Sequence, residues 1–543
     1  MLVHLNTERY TMGTVADYSR LPVELWHIIV QFLPREDQKT ILFVSKPLHD
    51  YALSLLFSRV TICLGLWRLY GLVPSPFHQD MDEEEESEQG QLERQHNIAW
   101  EILRRISRDP QFARLVKVMS VRAFIEDNDT VFQFRALLDA IESLPNLQAF
   151  HWYGVGPPVN AFVLQTLAGA SSATITELSI PAVQDMTISL APFVHLRSLS
   201  LGGEPLQQPR VKIHYGNAQS HRTQSCLQTV PPGLSRLWTY GNAIWDAPVR
   251  IFDHLQDLFI LLPATLDGLG FVLHHCLDLR SFGLLLDEDM TSSLRAAFQD
   301  APDLLPNLTS FKLIFGIPLE TREVARPLMN FLQKKTRLRR LDLEMFSRQG
   351  DYQLSPFLNF LTSLTHLEVL GIQLVDLDCD CLTHANMELL DSKLPLGLTA
   401  LLLHFDIGDM EGDIHQRLIA MVRTVSSGAA QHRSHSPLMS LFVQFKKRSK
   451  LRYLHILDAE AIFDLKQQLL EDHPPSLELV GYGPYLRSLE QDPETGFPAY
   501  SPPWRRSQVM FRGVHEFGCE DWEWLLRGRG MRALDELEPG TRD

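Results

Sequence analysis

The chain has 543 residues, 45% of them hydrophobic, with 66 acidic against 50 basic side chains and a formal net charge of −16. That balance argues against a general affinity for nucleic acid or for anionic membrane, and the length exceeds one compact core, so a small module joined to a longer architecture is expected. The six cysteines, at 63, 226, 276, 379, 381 and 519, form no C-x-x-C pair, the first thirty residues hold no apolar signal core and no run reaches membrane-spanning length, which together predict a soluble protein of the cytoplasm or nucleus.

Residues 1–19 read as a loose leader. The first organised stretch runs from Leu21 to Val60. Pro22 suits the first helical position and Glu24 the positive end of the helix dipole, although Leu21 is a poor cap. Leu25, Ile28, Ile29, Phe32 and Leu33 then paint one apolar stripe at helical spacing, and Pro34 stops it. A second helix is predicted from about Asp37, carrying Ile41, Val44 and Leu48, with Pro47 marking a break before a third that holds Ala52, Leu55 and Leu56. Val60, Ile62 and Leu64 alternate like a strand. Three short helices make a very small core, and such a unit generally needs a partner to cover what remains exposed.

These residues carry a resemblance. Leu21-Pro22-x-Glu24-Leu25, Ile28, Ile29, Leu33, Asp37, the Val44-Ser45-Lys46 run and the Leu55-Leu56-Phe57 ending resemble an F-box, here over residues 20–65. The resemblance implies docking on the Skp-type adaptor of a cullin-RING ubiquitin ligase through Leu21, Pro22, Leu25, Ile28, Ile29, Leu33, Val44 and Leu48, some of which would instead fill the unit's own core. The alternative is a helical N-terminal cap for the domain that follows. Residues 71–95, with Asp82, Glu83, Glu84, Glu85, Glu86 and Glu88, are too charged to pack and read as a solvated acidic linker or loop.

Over about 100–480 a pattern L-x-x-L-x-L recurs with large apolar substitutions, starting at Leu147, Ile175, Leu196, Leu234, Leu255, Leu279, Leu308, Leu338, Leu364, Leu398 and Leu451. Most starts lie 21 to 38 residues apart, overlapping the leucine-rich-repeat range. The long last gap holds RTVSSGAAQHRSHS, a polar insertion. Helix-like segments sit between copies: Phe134, Leu138 and Ile141; Val324, Leu328 and Leu332; Ile462, Leu465 and Leu469. Strand then helix, repeated, predicts an α/β solenoid with a parallel sheet, the fourth and sixth motif positions pointing into a stacked core and the residues between them onto an open face. The array resembles the irregular leucine-rich arrays that follow F-boxes in divergent proteins common in fungi, and the asparagine usual after the last leucine is absent in nearly every copy. Residues 481–543, rich in proline and including Trp504, Trp522 and Trp524, are expected to cap the solenoid or to run on as a partner-binding tail.

No G-x-S-x-G, Walker-type loop, G-x-G-x-x-G or H-E-x-x-H is present, so no enzyme and no cofactor is predicted. Asp376, Asp378 and Asp380 imitate a calcium loop, but Cys381 stands where glycine is needed and Met387 where a glutamate is needed. Cys379, Cys381 and His384 lack a fourth zinc ligand. His274, His275 and Cys276 read as packing and surface residues. The functional signal is the open face itself. Trp238 and Phe259 fall at equivalent outward positions of successive copies, about 5 Å apart if their strands are neighbours. His151, Lys312, Asp342, Glu368, Tyr453 and His455 are placed on the same face, making Trp238, Phe259, Lys312, Asp342, Glu368 and Tyr453 the candidate target contacts. The resulting expectation is a substrate receptor of an SCF-type ubiquitin ligase, bridging adaptor and an unidentified target protein. A leucine-rich scaffold, its F-box-like region only a cap or an adaptor link without ubiquitin transfer, is the alternative.

Overall fold

The structure, a computed structural model, describes residues 22–33, 35–65, 88–124, 131–181, 189–202, 226–286, 290–300, 303–315, 322–345, 354–375, 392–406, 449–457, 470, 473–482, 485–493, 495–504, 509 and 517–528. Three helices open it: α1 (Val23–Gln31), α2 (Arg35–Ile41) and α3 (Lys46–Leu56). Pro22 stands just outside α1, in extended backbone, rather than as its first helical residue. The Gln38 side-chain amide donates to the carbonyls of Val30 (3.2 Å) and Leu33 (2.9 Å), so groups orphaned at the end of α1 are satisfied from α2. Pro47 sits in the first turn of α3, where a missing N–H costs no helical bond, so the expected break is a helix start. Val44 consequently lies in the turn between α2 and α3, not on a helix.

Val60, Ile62 and Leu64 do form a strand, β1 (Arg59–Gly65), and all three are buried. It pairs in parallel with β2 (Val118–Phe124). The last strand of the 20–65 unit is therefore also the first strand of the long sheet. The expected linker at 71–95 is corrected in part. A helix, Glu88–Arg108, starts inside it because Ala99, Leu103 and Ile106 recur at helical spacing and are at most 4% exposed, which carries the helix back into the polar stretch. The acidic run Asp82–Glu86 lies outside the described residues.

Beyond β2 the sheet grows one strand at a time in chain order: β3 (Ala149–Gly156), β4 (Glu177–Pro181), β5 (Ser198–Gly202), β6 (Arg236–Tyr240), β7 (Asp257–Leu261), β8 (Ser281–Leu286), β9 (Ser310–Phe315), β10 (Arg340–Met345), β11 (Val369–Val375), β12 (Ala400–Asp406), β13 (Tyr453–Leu457) and β14 (Leu479–Tyr482). All of these neighbours pair in parallel. Then β15 (Tyr485–Gln491) and β16 (Pro498–Tyr500) turn back antiparallel at the far edge. Helices such as Val131–Glu142, Thr291–Asp300, Arg322–Gln333 and Leu354–Ser363 return the chain across one side of the sheet, while β6 and β7 are joined by two short 3-10 turns. The molecule is a mixed α/β fold built on a long parallel sheet.

Register explains why the pattern works. Met119 pairs with Phe150, Phe150 with Leu178, and the same row continues through Leu199, Leu237, Leu258, Phe282, Phe311, Leu341, Leu370, Leu401 and Leu454 to Val480. Every member of that row is at most 1% exposed. Each such side chain contributes about 1.5–3 kcal/mol by leaving water, which is the largest favourable term in a solenoid whose repeats cannot close a core alone. Aromatic rings thicken the middle: Phe298 and Phe331 from two helices lie 5.0 Å apart and both face Phe311.

The pairing also corrects one motif frame. The copy expected from Leu364 in fact starts at Leu367, since Leu370 and Ile372 align with Leu341 and Leu343. Leucines at 364, 367 and 370 offer two overlapping frames three residues apart, and only the second keeps register. Two further copies escaped notice. Val116, Met119 and Val121 hold the motif positions of β2 without any leucine, and Leu477, Val480 and Tyr482 hold those of β14.

Candidate functional site

Two surfaces stand out, and they are opposites. On the three-helix unit, Leu25, Ile28 and Ile29 of α1 are 42%, 45% and 41% exposed, although they lie on an apolar stripe. Phe32 at its end and Phe43 and Val44 in the following turn are more open still. Val30 and Ala52 are buried between the helices, while Leu33 and Leu48 are half-buried and Pro22 is exposed. Leu21 lies outside the described residues. The turn that presents Val44 is held by the imidazole Nδ1 of His49, 2.9 Å from the Leu42 carbonyl oxygen. Phe43 was not singled out in the sequence because it falls outside the helical period. Its position two residues after a helix ending in Ile41 was the available signal.

The second surface is the face of the sheet opposite the helices, and it is not open. Phe259 is 4% exposed, Lys312 1%, Asp342 and Tyr453 0% and His455 3%, while Trp238, His151 and Glu368 are half-buried. The expectation of a bare face is corrected here: a C-terminal strap, residues 517–528 with a helix at Glu520–Leu526, lies across it. Glu368 is corrected for a different reason. With the frame starting at Leu367 it precedes β11, and its carboxylate, 45% exposed, meets Arg339 at 3.4 Å instead of joining the central row, where Gly371 stands.

The strap is held by specific chemistry. The Lys312 ammonium donates to the Leu525 carbonyl (2.9 Å) and the Arg527 carbonyl (2.8 Å), and pairs with the Asp342 carboxylate at 2.8 Å. An ammonium has three N–H bonds, so all are used, and the carbonyls left over at a helix C-terminus find a cation where the dipole favours one. The Trp524 ring lies 4.6 Å from the same nitrogen. Arg340 binds Glu520 at 3.1 Å and Asp521 at 2.7 Å, and Arg339 also donates to Asp521. Burial pushes the Glu520 carboxyl up, but the charge and hydrogen bond of Arg340, with help from Arg236 and Arg527, bring it to a net position below the usual carboxylate range.

At the ends of the strap aromatic and cationic groups alternate. Arg527 stacks 4.2 Å over Trp238, whose ring lies 5.6 Å from Phe259, and it reaches Asp257 at 3.3 Å. At the other end Trp522 packs 5.8 Å from Tyr453, and the Arg452 guanidinium lies 5.4 Å from the same indole ring. Tyr453 in turn is 2.8 Å from His455 Nδ1. Two glycines make the fit possible. A Cβ on Gly371 would meet the Asp342 carboxylate at 2.1 Å, and one on Gly528, at φ +78°, would crowd the Phe259 ring at 3.1 Å. His151 stands apart near the start of the sheet. Its Nε2 is 2.9 Å from Glu177, and that hydrogen bond holds the Glu177 carboxyl below its ordinary range, outweighing burial.

The strap residues Glu520, Asp521, Leu525 and Arg527 were not read from the sequence, where only the tryptophans attracted notice. Their partners lie about 180 to 270 positions away, beyond any local pattern. Cys276, whose thiol burial pushes up to about 12, is a buried packing residue, while Phe271 lies 4.3 Å from His275 within the helix Leu269–His275 that Cys276 ends. The residues Asp376–His384 lie outside the described residues. Among the described residues no helix is long and apolar enough to cross a membrane.

No protein-family model and no curated protein matches the chain. Among solved structures, a leucine-rich repeat-containing protein, LegL7, from Legionella pneumophila is similar at 14% identity and a TM-score of 0.30, covering 58% of this chain and 99% of that one. The mouse RP105/MD-1 complex is similar at 14% identity and a TM-score of 0.25, covering 67% of this chain and 59% of that one.

Proposed function

We propose that the chain is the substrate-recognition subunit of an SCF-type ubiquitin ligase, its N-terminal helices docking on a Skp-type adaptor and, through it, on the cullin-RING core, while the repeat sheet holds a target protein. The observation that carries this is the set Leu25, Ile28, Ile29, Phe32, Phe43 and Val44, apolar and more than two-fifths exposed on one small unit. A patch of large apolar side chains marks an interaction site, and four of these six, Leu25, Ile28, Ile29 and Val44, are residues that carry the resemblance to an F-box. The chain would make and break no bond. It would raise the local concentration of target lysines near a ubiquitin-loaded enzyme, in the cytoplasm or nucleus.

One observation favours the scaffold reading. β1 pairs along its whole length with β2, so the helical unit is built onto the sheet as a cap would be. A cap alone, however, has no use for an outward apolar stripe. Co-purification with a recombinant Skp-type adaptor separates adaptor docking from a cap, and ubiquitin transfer to a captured target in the reconstituted ligase separates it from an adaptor link alone. Wild-type chain should capture it, and Ile28→Asp with Ile29→Asp should abolish capture while the melting temperature holds. If the wild-type chain captures no adaptor, the ligase reading fails and the scaffold reading stands.

A further inference from the structure

The face beneath the strap is made differently from the core behind it. Behind the sheet the rows are apolar and continuous from Val60 to Tyr482. The covered face instead buries Lys312, Asp342, Glu344, Gln373, His404 and His455, each at most 4% exposed. Gln373 lies two residues past Gly371 and so on the same side of β11, and neither its amide nitrogen nor its oxygen has a partner among the described residues. Buried polar groups left unpaired are costly, and a surface shaped only for permanent burial would carry apolar side chains there. The apolar contacts of the strap, Trp522, Trp524, Leu525 and Leu526 with Tyr453 and Leu402, form a cluster of their own, separate from the core of the repeats. Lifting the strap therefore leaves that core whole.

We propose that residues 517–528 are a tethered occupant of a binding face, and that the same face accepts in their place a helical segment of a partner protein carrying acidic side chains next to two tryptophans. This rests on the reading that the repeat sheet holds the target, and it supplies that target's chemistry. Arg339 and Arg340 receive the acidic end, Trp238, Phe259 and Tyr453 the aromatic and cationic ends, and Lys312 the carbonyls of the last turn. The tether gives the strap an effective concentration on the order of 1 mM, so a separate segment gains the face only by binding more tightly or by arriving with a second contact.

The test uses the full chain and a fluorescein-labelled peptide copying 517–528, with serine in place of Cys519. An Asp521→Arg variant, whose own strap has lost its pairs with Arg339 and Arg340, should bind the peptide at least tenfold more tightly than wild type in fluorescence anisotropy. A chain with Arg339→Glu and Arg340→Glu should prefer a peptide carrying the matching arginine. Equal binding of the copied peptide by wild type and variant, with folding verified by matching melts, would overturn the proposal. Hydrogen exchange of the wild type gives an answer independent of any substitution: amides of 521–528 should exchange through a local opening, well before those of β9 and β10. Exchange of both only on global unfolding would make the strap a permanent part of the core. Adaptor capture, measured on the same samples, reports on the N-terminal helices alone, so its failure is distinguishable from failure at the face.

Discussion

The N-terminal helices and the face under the strap invert the usual distribution of side chains. One leaves large apolar residues in water, with Phe43 89% exposed; the other takes a lysine and an aspartate out of it, at 1% and 0%. The difference lies in whether a partner is already in place. On the face the strap supplies two carbonyls and a ring to one ammonium, so burial of the charge is compensated. On α1 nothing among the described residues covers the stripe, and no compensation is needed for an apolar group except the removal of water that a partner would bring.

The comparison breaks first, and hardest, at Lys312. Replacing it with methionine keeps the volume but leaves Asp342 buried without its cation and two strap carbonyls without a donor. Removing one member of a buried pair costs about 3–5 kcal/mol, so the unfolding free energy from denaturant titration should fall by that much. A loss below about 1 kcal/mol would mean that Asp342 is not truly shut from water. The companion change, Lys312→Met with Asp342→Leu, should recover most of the loss while leaving the strap loosened, because no lone charge remains.

A second buried lysine tests the cost of burying an ammonium through its titration. Lys335, 3% exposed, donates to the Leu304 carbonyl and lies 4.3 Å from the centre of the Phe331 ring. Burial lowers its pKa to about 8, against a weaker opposing pull from Asp303. The sign follows from which state holds the proton. Below pH 8 both folded and unfolded chains carry the charge and the burial penalty is full. Between about 8 and the ordinary value of 10.5 the folded chain gives up the proton first, so this group makes stability rise with pH. Lys335→Met should be more stable than wild type at pH 7, with the advantage shrinking toward pH 10.5 in paired melts. A pH-independent difference would contradict the assignment.

What was legible in the sequence follows the same division. The inward rows were readable because strand geometry repeats every two residues and leucine marks it, as at Leu237 and Leu258; where valine and methionine replaced leucine, in β2, the copy was lost. Prolines at 22, 34 and 47 gave the helix ends to within a few residues, since the pyrrolidine ring constrains backbone locally. Glu368 was misplaced because leucines three apart permit two frames, and only hydrogen-bonded pairing with β10 chooses between them. The strap was invisible for a physical reason: seven helical residues carry no periodic signature, and what fixes them is charge and stacking supplied from strands hundreds of positions earlier.

On the exposed side the expectation is a large change in binding with almost none in stability. Ile28→Asp replaces a half-exposed residue and should alter folding free energy by no more than about 0.5 kcal/mol, the usual range for surface substitutions. Adaptor capture, in contrast, should be lost. If the variant melts much earlier than wild type, Ile28 is a core residue of the unit, and the contrast with the strap face loses its exposed half.

The smallest effect belongs to a pair that has the distances of the strap contacts but not their surroundings. Arg295 and Glu323 join two helices at 2.7 Å, with side chains 46% and 61% exposed. Arg340 and Asp521 are also 2.7 Å apart, at 12% and 18%. Coulomb attraction at equal distance grows as water is excluded, and an exposed pair must also hold two long side chains still, so double-mutant cycles on such pairs give about 0.2–1 kcal/mol. The Arg295–Glu323 cycle should fall in that range and shrink in 1 M salt, where the screening length drops to about 3 Å. The Arg340–Asp521 cycle, read as local opening of the strap by hydrogen exchange, should give a larger coupling that salt reduces less. Equal couplings would show that the strap covers its charges no better than open solvent does, and that the face is held by its aromatic contacts alone.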